Sequence, residues 1–494
     1  MNKFGINTVS NVAAKLWSLV SIYVFIPLYI RLLGETAYGL VSFFATLQGA
    51  LNLLGLGLSN TLRREFAVGQ DTDRKYKLLR SVELIYCGLG ALIVAICFFG
   101  SDFIAEQWLN IEELDPGLVS TVIALMGVSI ALQLVANLYA GCLFGLEHQV
   151  LTNGYTVVWS AVKSCGSLAV IWFVKPDLVL FYAWHLVSDA VYLLVLRLSV
   201  VGKLPRQNRE KWTWRDISNI ASVWQYTCGL LFISFVALIN RQLDKTIISK
   251  FLDLSELGGY NLATTLGSLA GIIPTAVYTS VFPRFTQWAT TGDPELGDKY
   301  LRINRFVNLI LSAMAAFVAA YALPLIRAWT GSDAYGGMLS VVGTLVVLGV
   351  AVIEYQQLPY ALALAHGDTG INVLVGGAAI PFIGLASYYG ISRYGLLGAG
   401  VVLLVMMGLQ TVVYLVLVYR KYLPGKAIAA LVRDTAIPLG VSLLIAFGSR
   451  VWVTGLTQNH WLQVALAVLC GGGTLGLLLI VYEGKTLLAK LRRH

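Results

Sequence analysis

Gln133 and Asn137 lie four residues apart inside a long apolar run, and Gln48 and Asn52 repeat that spacing in an earlier one. On a helix, residues four apart share a face, so each pair would aim two carboxamides in one direction. Amides at membrane depth serve two ends. They glue neighbouring helices together, or they line a cavity that keeps a polar ligand wet. A second constellation is charged. Lys163 and Asp189 fall near the middle of two successive apolar runs, with His185 one helical turn from Asp189. They are either a buried ion pair in which each charge neutralises the other, or a protonatable site coupling H+ or Na+ entry to movement.

Other motifs carry less. "DTD" at 71–73 sits in a short basic loop without room for a nucleotide-sugar domain. "GKT" at 484–486 lacks the upstream glycine and strand of a phosphate loop. The remaining histidines show no metal-ligand spacing, and the six cysteines form no CxxC pair, so no metal site or disulfide framework is expected.

The elements that must position these residues are membrane helices. Of 494 residues, 57% are hydrophobic and only 12% charged, and the mean hydropathy is +0.74. A soluble domain is about a quarter charged. Runs long enough to cross a bilayer recur throughout, which makes this an all-α polytopic membrane protein. The first run, interrupted by Asn11 and Lys15, does not read as a cleaved signal. Helices are expected near 8–31, 35–59, 81–101, 118–145, 152–174, 178–200, 217–239 and 255–282. Six more are expected near 304–323, 337–365, 371–390, 395–418, 434–455 and 461–482, about fourteen crossings in all.

Charge fixes the orientation. Twenty-four of the 35 Lys and Arg residues fall on one set of alternate connections and eight on the other, with three inside helices. The positive-inside rule then puts both termini in the cytoplasm. The basic loops face anionic lipid, and no nucleic-acid partner is expected.

A repeat organises the helices. "SNVA" (10–13) is matched by "SNIA" (218–221), and "ETAYGLVSFFATLQG" (35–49) by "LGGYNLATTLGSLAG" (257–271). Both copies run in the same direction across the membrane. This predicts two parallel six-helix lobes, 1–200 and 217–433, the second taking in its cytoplasmic connection. A basic cytoplasmic linker (201–216) joins them, and an extra helix pair with a cytoplasmic tail follows (434–494). Pro27, Pro274, Pro359 and Pro381 sit in or near helix interiors, where each removes a backbone donor and bends the helix.

"NTVSNVAAKLW", "FIPLYIRLLGETAYGL", "LGLSNTLRREFA" and "QLDKTIISKFLDLSELGGYNLA" resemble the Wzx-type polysaccharide flippases. These belong to a superfamily that also holds the lipid II flippases and the MATE drug exporters. The resemblance implies flipping of undecaprenyl-pyrophosphate-linked oligosaccharide across the bacterial inner membrane by alternating access, in O-antigen or other polysaccharide biosynthesis. It implies membrane lipids and polysaccharide polymerase machinery as further partners, and no cofactor beyond H+ or Na+ coupling. In such relatives helices one, two, four, seven, eight and ten line the central cavity. Here these carry Lys15, Gln48, Asn52, Gln133 and Asn137, then Gln225, Asn261, Glu354, Gln356 and Gln357. Arg241, at the outer end of helix seven, is a candidate exit-side anion contact, as are Arg31 and Lys245, although all three suit interfacial anchoring too.

Two alternatives remain. A cation-coupled MATE-like exporter predicts a smaller, more acidic and aromatic cavity. A polysaccharide polymerase or ligase, an enzyme, would need a sizeable outer catalytic loop, and the outer connections near 102–117 and 240–254 are short.

Overall fold

A computed structural model describes residues 3–68, 72–111, 114–204, 221–332 and 339–491. The linker from residue 205 onward and the first three residues of "SNIA" lie outside the described residues. The chain is helical throughout. Among the described residues the sole β feature is an isolated bridge between Asn110 and Asp253.

Two compact units are present, Met1–Gly258 and Gly259–His494. The first contains α1 (Lys3–Leu33), α2 (Glu35–Val68), α3 (Thr72–Phe103), α4 (Pro116–Gly145), α5 (Gln149–Phe173), α6 (Leu178–Lys203) and α7 (Ala221–Phe251). Its ends follow local chemistry. The Asp115 carboxylate accepts the Leu118 N–H before Pro116 opens α4, and Asp177 caps α6 in the same way. The central helix is α4, buried all round as its uniform apolarity requires. Its glycines let neighbours close in. A Cβ on Gly141 would lie 2.5 Å from Ser59 Oγ and 2.9 Å from the Ser59 carbonyl oxygen of α2. At the end of this unit a Cβ on Gly258 would come within 3.3 Å of the Tyr38 ring.

The second unit holds the remainder of α8 (Leu254–Ser268), then α9 (Ile272–Thr290), α10 (Leu296–Ala320), α11 (Ala322–Thr330), α12 (Leu339–Ile353) and α13 (Gln357–Ala365). It closes with α14 (Gly370–Tyr422), α15 (Ala427–Leu431), α16 (Ile437–Leu456) and α17 (His460–Leu491). The uninterrupted helices expected at 255–282 and 337–365 are both broken by one 3₁₀ turn, at 269–271 and 354–356. Proline is the cause. Pro274 and Pro359 remove the N–H that the carbonyls of Ala270 and Tyr355 would receive in an α-helix. Pro27 and Pro381, by contrast, sit inside continuous helices.

Eleven stretches among the described residues are long and apolar enough to span a membrane. One of them, Gly370–Tyr422, would measure about 80 Å as a single helix, far beyond a hydrocarbon core of about 30 Å. Gly395 (φ 58°, ψ −141°) breaks it. Only glycine tolerates that backbone readily, so the helices expected at 371–390 and 395–418 meet there as a tight hairpin. Helices α2 and α7 have the length, 34 and 31 residues, but fall outside the eleven. Long stretches of both lie outside the residues whose side chains are described, and the uncharged windows 40–57 and 222–239 are themselves predominantly apolar.

Candidate functional site

Four helices of the first unit line a half-open cavity of about 430 Å³. Helix α2 contributes Gln48, Ser59 and Arg63, and α4 contributes Gln133, Asn137, Gly141 and Phe144. Thr156 and Trp159 come from α5 and Tyr192 from α6. Helical geometry explains why these residues converge. Gln48, Ser59 and Arg63 fall at i, i+11 and i+15, and Gln133, Asn137 and Phe144 at i, i+4 and i+11, so each set forms one stripe.

Arg63 was not among the residues expected to act. As a sequence feature it belongs to a basic run past the end of the second apolar window. In the structure α2 continues to Val68, which keeps Arg63 in register with Gln48 and on the cavity wall. The periodicity from Gln48 through Ser59 was the signal that could have found it. Its guanidinium lies 4.5 Å from the centroid of the Phe144 ring, and among the described residues it makes no ion pair.

Behind the wall lies the charged constellation. Lys163 Nζ is 3.0 Å from both carboxylate oxygens of Asp189. Asp189 is fully buried and Lys163 is 8% exposed. The carboxylate also accepts from Gln133 Nε2 at 2.8 Å, from Trp159 Nε1 at 3.1 Å, and from the Ser129 hydroxyl. Gln133 Oε1 in turn accepts from Gln48 Nε2. The amide pair and the ion pair, read separately in the sequence, therefore form one network from the core to the cavity surface. A carboxylate has about four lone-pair sites. Those of Asp189 are filled by a cation and three neutral donors.

His185 stands apart from this pair. It is buried against Phe181, 4.3 Å between ring centroids, with Tyr182 and Phe44 nearby, and its Nδ1 has no hydrogen-bond partner among the described residues. Lys15 and Arg241 are exposed side chains of α1 and α7 that do not line the cavity, and Arg31 is exposed as well. The side chains of Asn52 and Gln225 lie outside the described residues.

Asn261, Glu354 and Gln357 belong to the second unit. Gln357 Nε2 donates to Glu354 Oε2 at 3.2 Å, and Gln356 Nε2 donates to Thr411 at 2.7 Å. The Glu354 carboxylate packs against Gly271, where a Cβ would lie 2.6 Å from its Cδ, so the two proline-induced breaks face each other. Asn261, half-buried on α8, accepts at its backbone oxygen from Thr264 and Thr265. Outside the spans, Asp368 anchors the turn before α14. It accepts from Lys421 Nζ and Tyr422 Oη, each at 2.7 Å, and from the Gly370 N–H at 2.8 Å. The Lys421 contact leads in pulling the Asp368 carboxyl down to about 2.

The family model described as polysaccharide biosynthesis protein matches residues 2–289, more than half of the chain. The chain belongs to that family. A candidate O-antigen transporter of Shigella flexneri is 21% identical over 389 residues, spanning 75% of this chain and 87% of its own length. The fold is shared with solved transporters. A lipid II flippase in an inward closed conformation superposes with a TM-score of 0.75 at 12% identity, covering 97% of this chain and 99% of that one. An inward-facing multidrug resistance MATE family transporter gives 0.67 at 13% identity, covering 84% and 95%. The expected all-α polytopic architecture is thus shown, in a fold shared with a lipid II flippase and a MATE family transporter.

Proposed function

We propose that the chain flips undecaprenyl-pyrophosphate-linked oligosaccharide from the cytoplasmic to the outer leaflet of the bacterial inner membrane, in O-antigen or related polysaccharide synthesis. A sugar-diphosphate head cannot enter hydrocarbon without losing its hydrogen bonds, so a flippase must supply a polar path while the tail stays in lipid. The carrying observation is the cavity of the first unit, whose described lining residues offer carboxamides, hydroxyls and a guanidinium and include no carboxylate. Asp189 stands behind that wall, but Lys163 neutralises it. A wall of this sign favours an anionic head over the acidic site that the exporter reading calls for. The family, the Shigella relative and the likeness to a lipid II flippase support the same substrate class.

In this reading there are fourteen crossings, counting α2 and α7 and both halves of α14. Two parallel six-helix lobes alternate access, and both termini are cytoplasmic. The head is delivered to polymerase machinery outside. Coupling to H+ or Na+ is assigned elsewhere than Lys163–Asp189, whose carboxylate is saturated with donors. The test is reconstitution in liposomes with a fluorescent lipid-linked oligosaccharide. Protein-dependent movement between leaflets, reduced by Arg63→Ala, is expected. Equal movement in protein-free liposomes rejects the function.

A further inference from the structure

We propose that the lipid-facing side of the first unit carries a binding site for an anionic phospholipid, formed by Arg197 of α6 beside Arg80 of α3, in which Arg197 takes the lipid phosphate. The site lies outside the cavity and is independent of what the cavity carries.

Helix α6 exposes Val187, Val191, Leu194 and Leu198, each more than half exposed and spaced three or four apart, as one apolar stripe. In a membrane protein such a stripe meets lipid. Arg197 sits within it, its side chain 48% exposed. It lies about 9 Å along the helix from Lys203, the last residue of α6. Side chains tilt toward the N-terminus of their helix, here away from that basic end, so the guanidinium starts inside the apolar band. Its protein partner is weak. Arg197 Nη2 lies 3.4 Å from Glu83 Oε1 of α3, and the guanidinium makes no hydrogen bond among the described residues.

Glu83 is already engaged. Its Oε1 accepts the Tyr139 hydroxyl at 2.6 Å, and its Oε2 accepts from Arg80 Nη1 at 2.8 Å. Arg80 is held on a second side, its Nε donating to Tyr76 Oη at 3.3 Å. Two arginines thus share one carboxylate, and the cluster carries one surplus positive charge. A guanidinium has five N–H donors, and leaving them unpaired beside hydrocarbon is costly. A lipid phosphate removes that cost, because it accepts from Arg in a bidentate fork. The surface beside the cluster has room for it. Cys87 and Gly88 of α3 are both small and exposed. Cys87 is within electrostatic reach of Glu83 and Arg197, and a Cβ on Gly88 would meet nothing within 4 Å. The surplus charge selects the lipid: an anionic head group neutralises it, whereas a zwitterionic one brings an ammonium of its own. On the orientation proposed above, the site faces the cytoplasmic leaflet, where anionic lipid meets the basic loops.

The full chain, purified in detergent, is titrated with dioleoyl phosphatidylglycerol or dioleoyl phosphatidylethanolamine and read by native mass spectrometry. The first phosphatidylglycerol should bind about tenfold tighter than phosphatidylethanolamine, the scale of one charge-assisted contact. Arg197→Gln should bring the two lipids to equal affinity. Arg197→Lys, which keeps the charge without the fork, should retain only part of the preference and serves where the glutamine variant does not fold. Arg80→Gln should cost less than Arg197→Gln, because that guanidinium is already engaged by Glu83 and Tyr76. Lys203→Gln is the control for diffuse attraction: it removes an exposed charge at the same end of α6 and should leave the preference as it is in the wild type. Equal binding of the two lipids by the wild type overturns the site. So does a wild-type preference in both Arg197 variants, or an equal loss in Lys203→Gln. Undecaprenyl phosphate displacing phosphatidylglycerol at equal concentration would overturn the assignment to a phospholipid, since the arginines would then serve a polyprenyl lipid.

Discussion

Removing Asp189 alone should be among the most damaging single changes in the first unit. Asp189→Leu strands the Lys163 ammonium inside the bundle. Lys163 lies about 15 Å along α5 from Phe173 and about 21 Å from Gln149, too far for its side chain to reach either surface. Breaking a buried pair in this way costs about 3–5 kcal/mol. The Gln133 and Trp159 donors also lose their acceptor, at about 1–3 kcal/mol each when buried. Against a total stability on the order of 5–15 kcal/mol, that is enough to deplete the folded protein. Lys163→Met is milder, because the carboxylate keeps Gln133, Trp159 and Ser129 as donors. The double variant Lys163→Met/Asp189→Leu should recover most of the loss, since apolar replacement of a whole buried pair is often neutral. The assay is the thermal midpoint of the detergent-solubilised protein across the four-member cycle. A coupling of at least about 2 kcal/mol is expected. Single losses that add to within about 0.5 kcal/mol would refute the account, because the two residues would then be acting independently.

Gly141→Ala should destabilise the protein by about 1–3 kcal/mol in the same assay, and Ser59→Ala should not rescue it, because the Ser59 carbonyl oxygen would still crowd the new methyl group. Pro274→Ala and Pro359→Ala each return a backbone N–H at a break; slower amide exchange around 270–274 or 355–359, a higher melting point and slower translocation are expected. The Asp368 turn should respond to acid. Its folded carboxyl titrates near 2 against an ordinary 3.8, so its stabilisation is complete above 3.8 and disappears as pH falls toward 2. Asp368→Asn should lower the melting point at neutral pH and remove this contribution to the acid-dependent fall between 3.8 and 2.

The legible part of the site was the part written in helical spacing. Gln48, Gln133 and Asn137 were recognisable as polar positions of amphipathic stripes, and Lys163 and Asp189 as charges too deep to be solvated. That they would form one network was not recoverable, because a stripe gives the face of a helix and not the neighbour it meets. Arg63 escaped notice for a related reason: hydropathy ends a helix where the apolar run ends, whereas hydrogen bonding carries α2 on to Val68. His185 misled in the opposite direction. Four residues from Asp189 places it on the same face, yet Phe181, Tyr182 and Phe44 claim its ring.

What the sequence determined by itself was the solvent, the helical class and the approximate set of crossings, since these depend on apolar length and on backbone groups that lipid cannot satisfy. Of the four prolines it offered as bends, Pro274 and Pro359 coincide with breaks and Pro27 and Pro381 do not. Tertiary structure alone decided that Gln133 turns its nitrogen to Asp189, that Arg63 lines the cavity, and that the break at 269–271 lies against Glu354. Those outcomes depend on contacts among helices far apart in the chain, where close packing and the donor capacity of one carboxylate set the geometry.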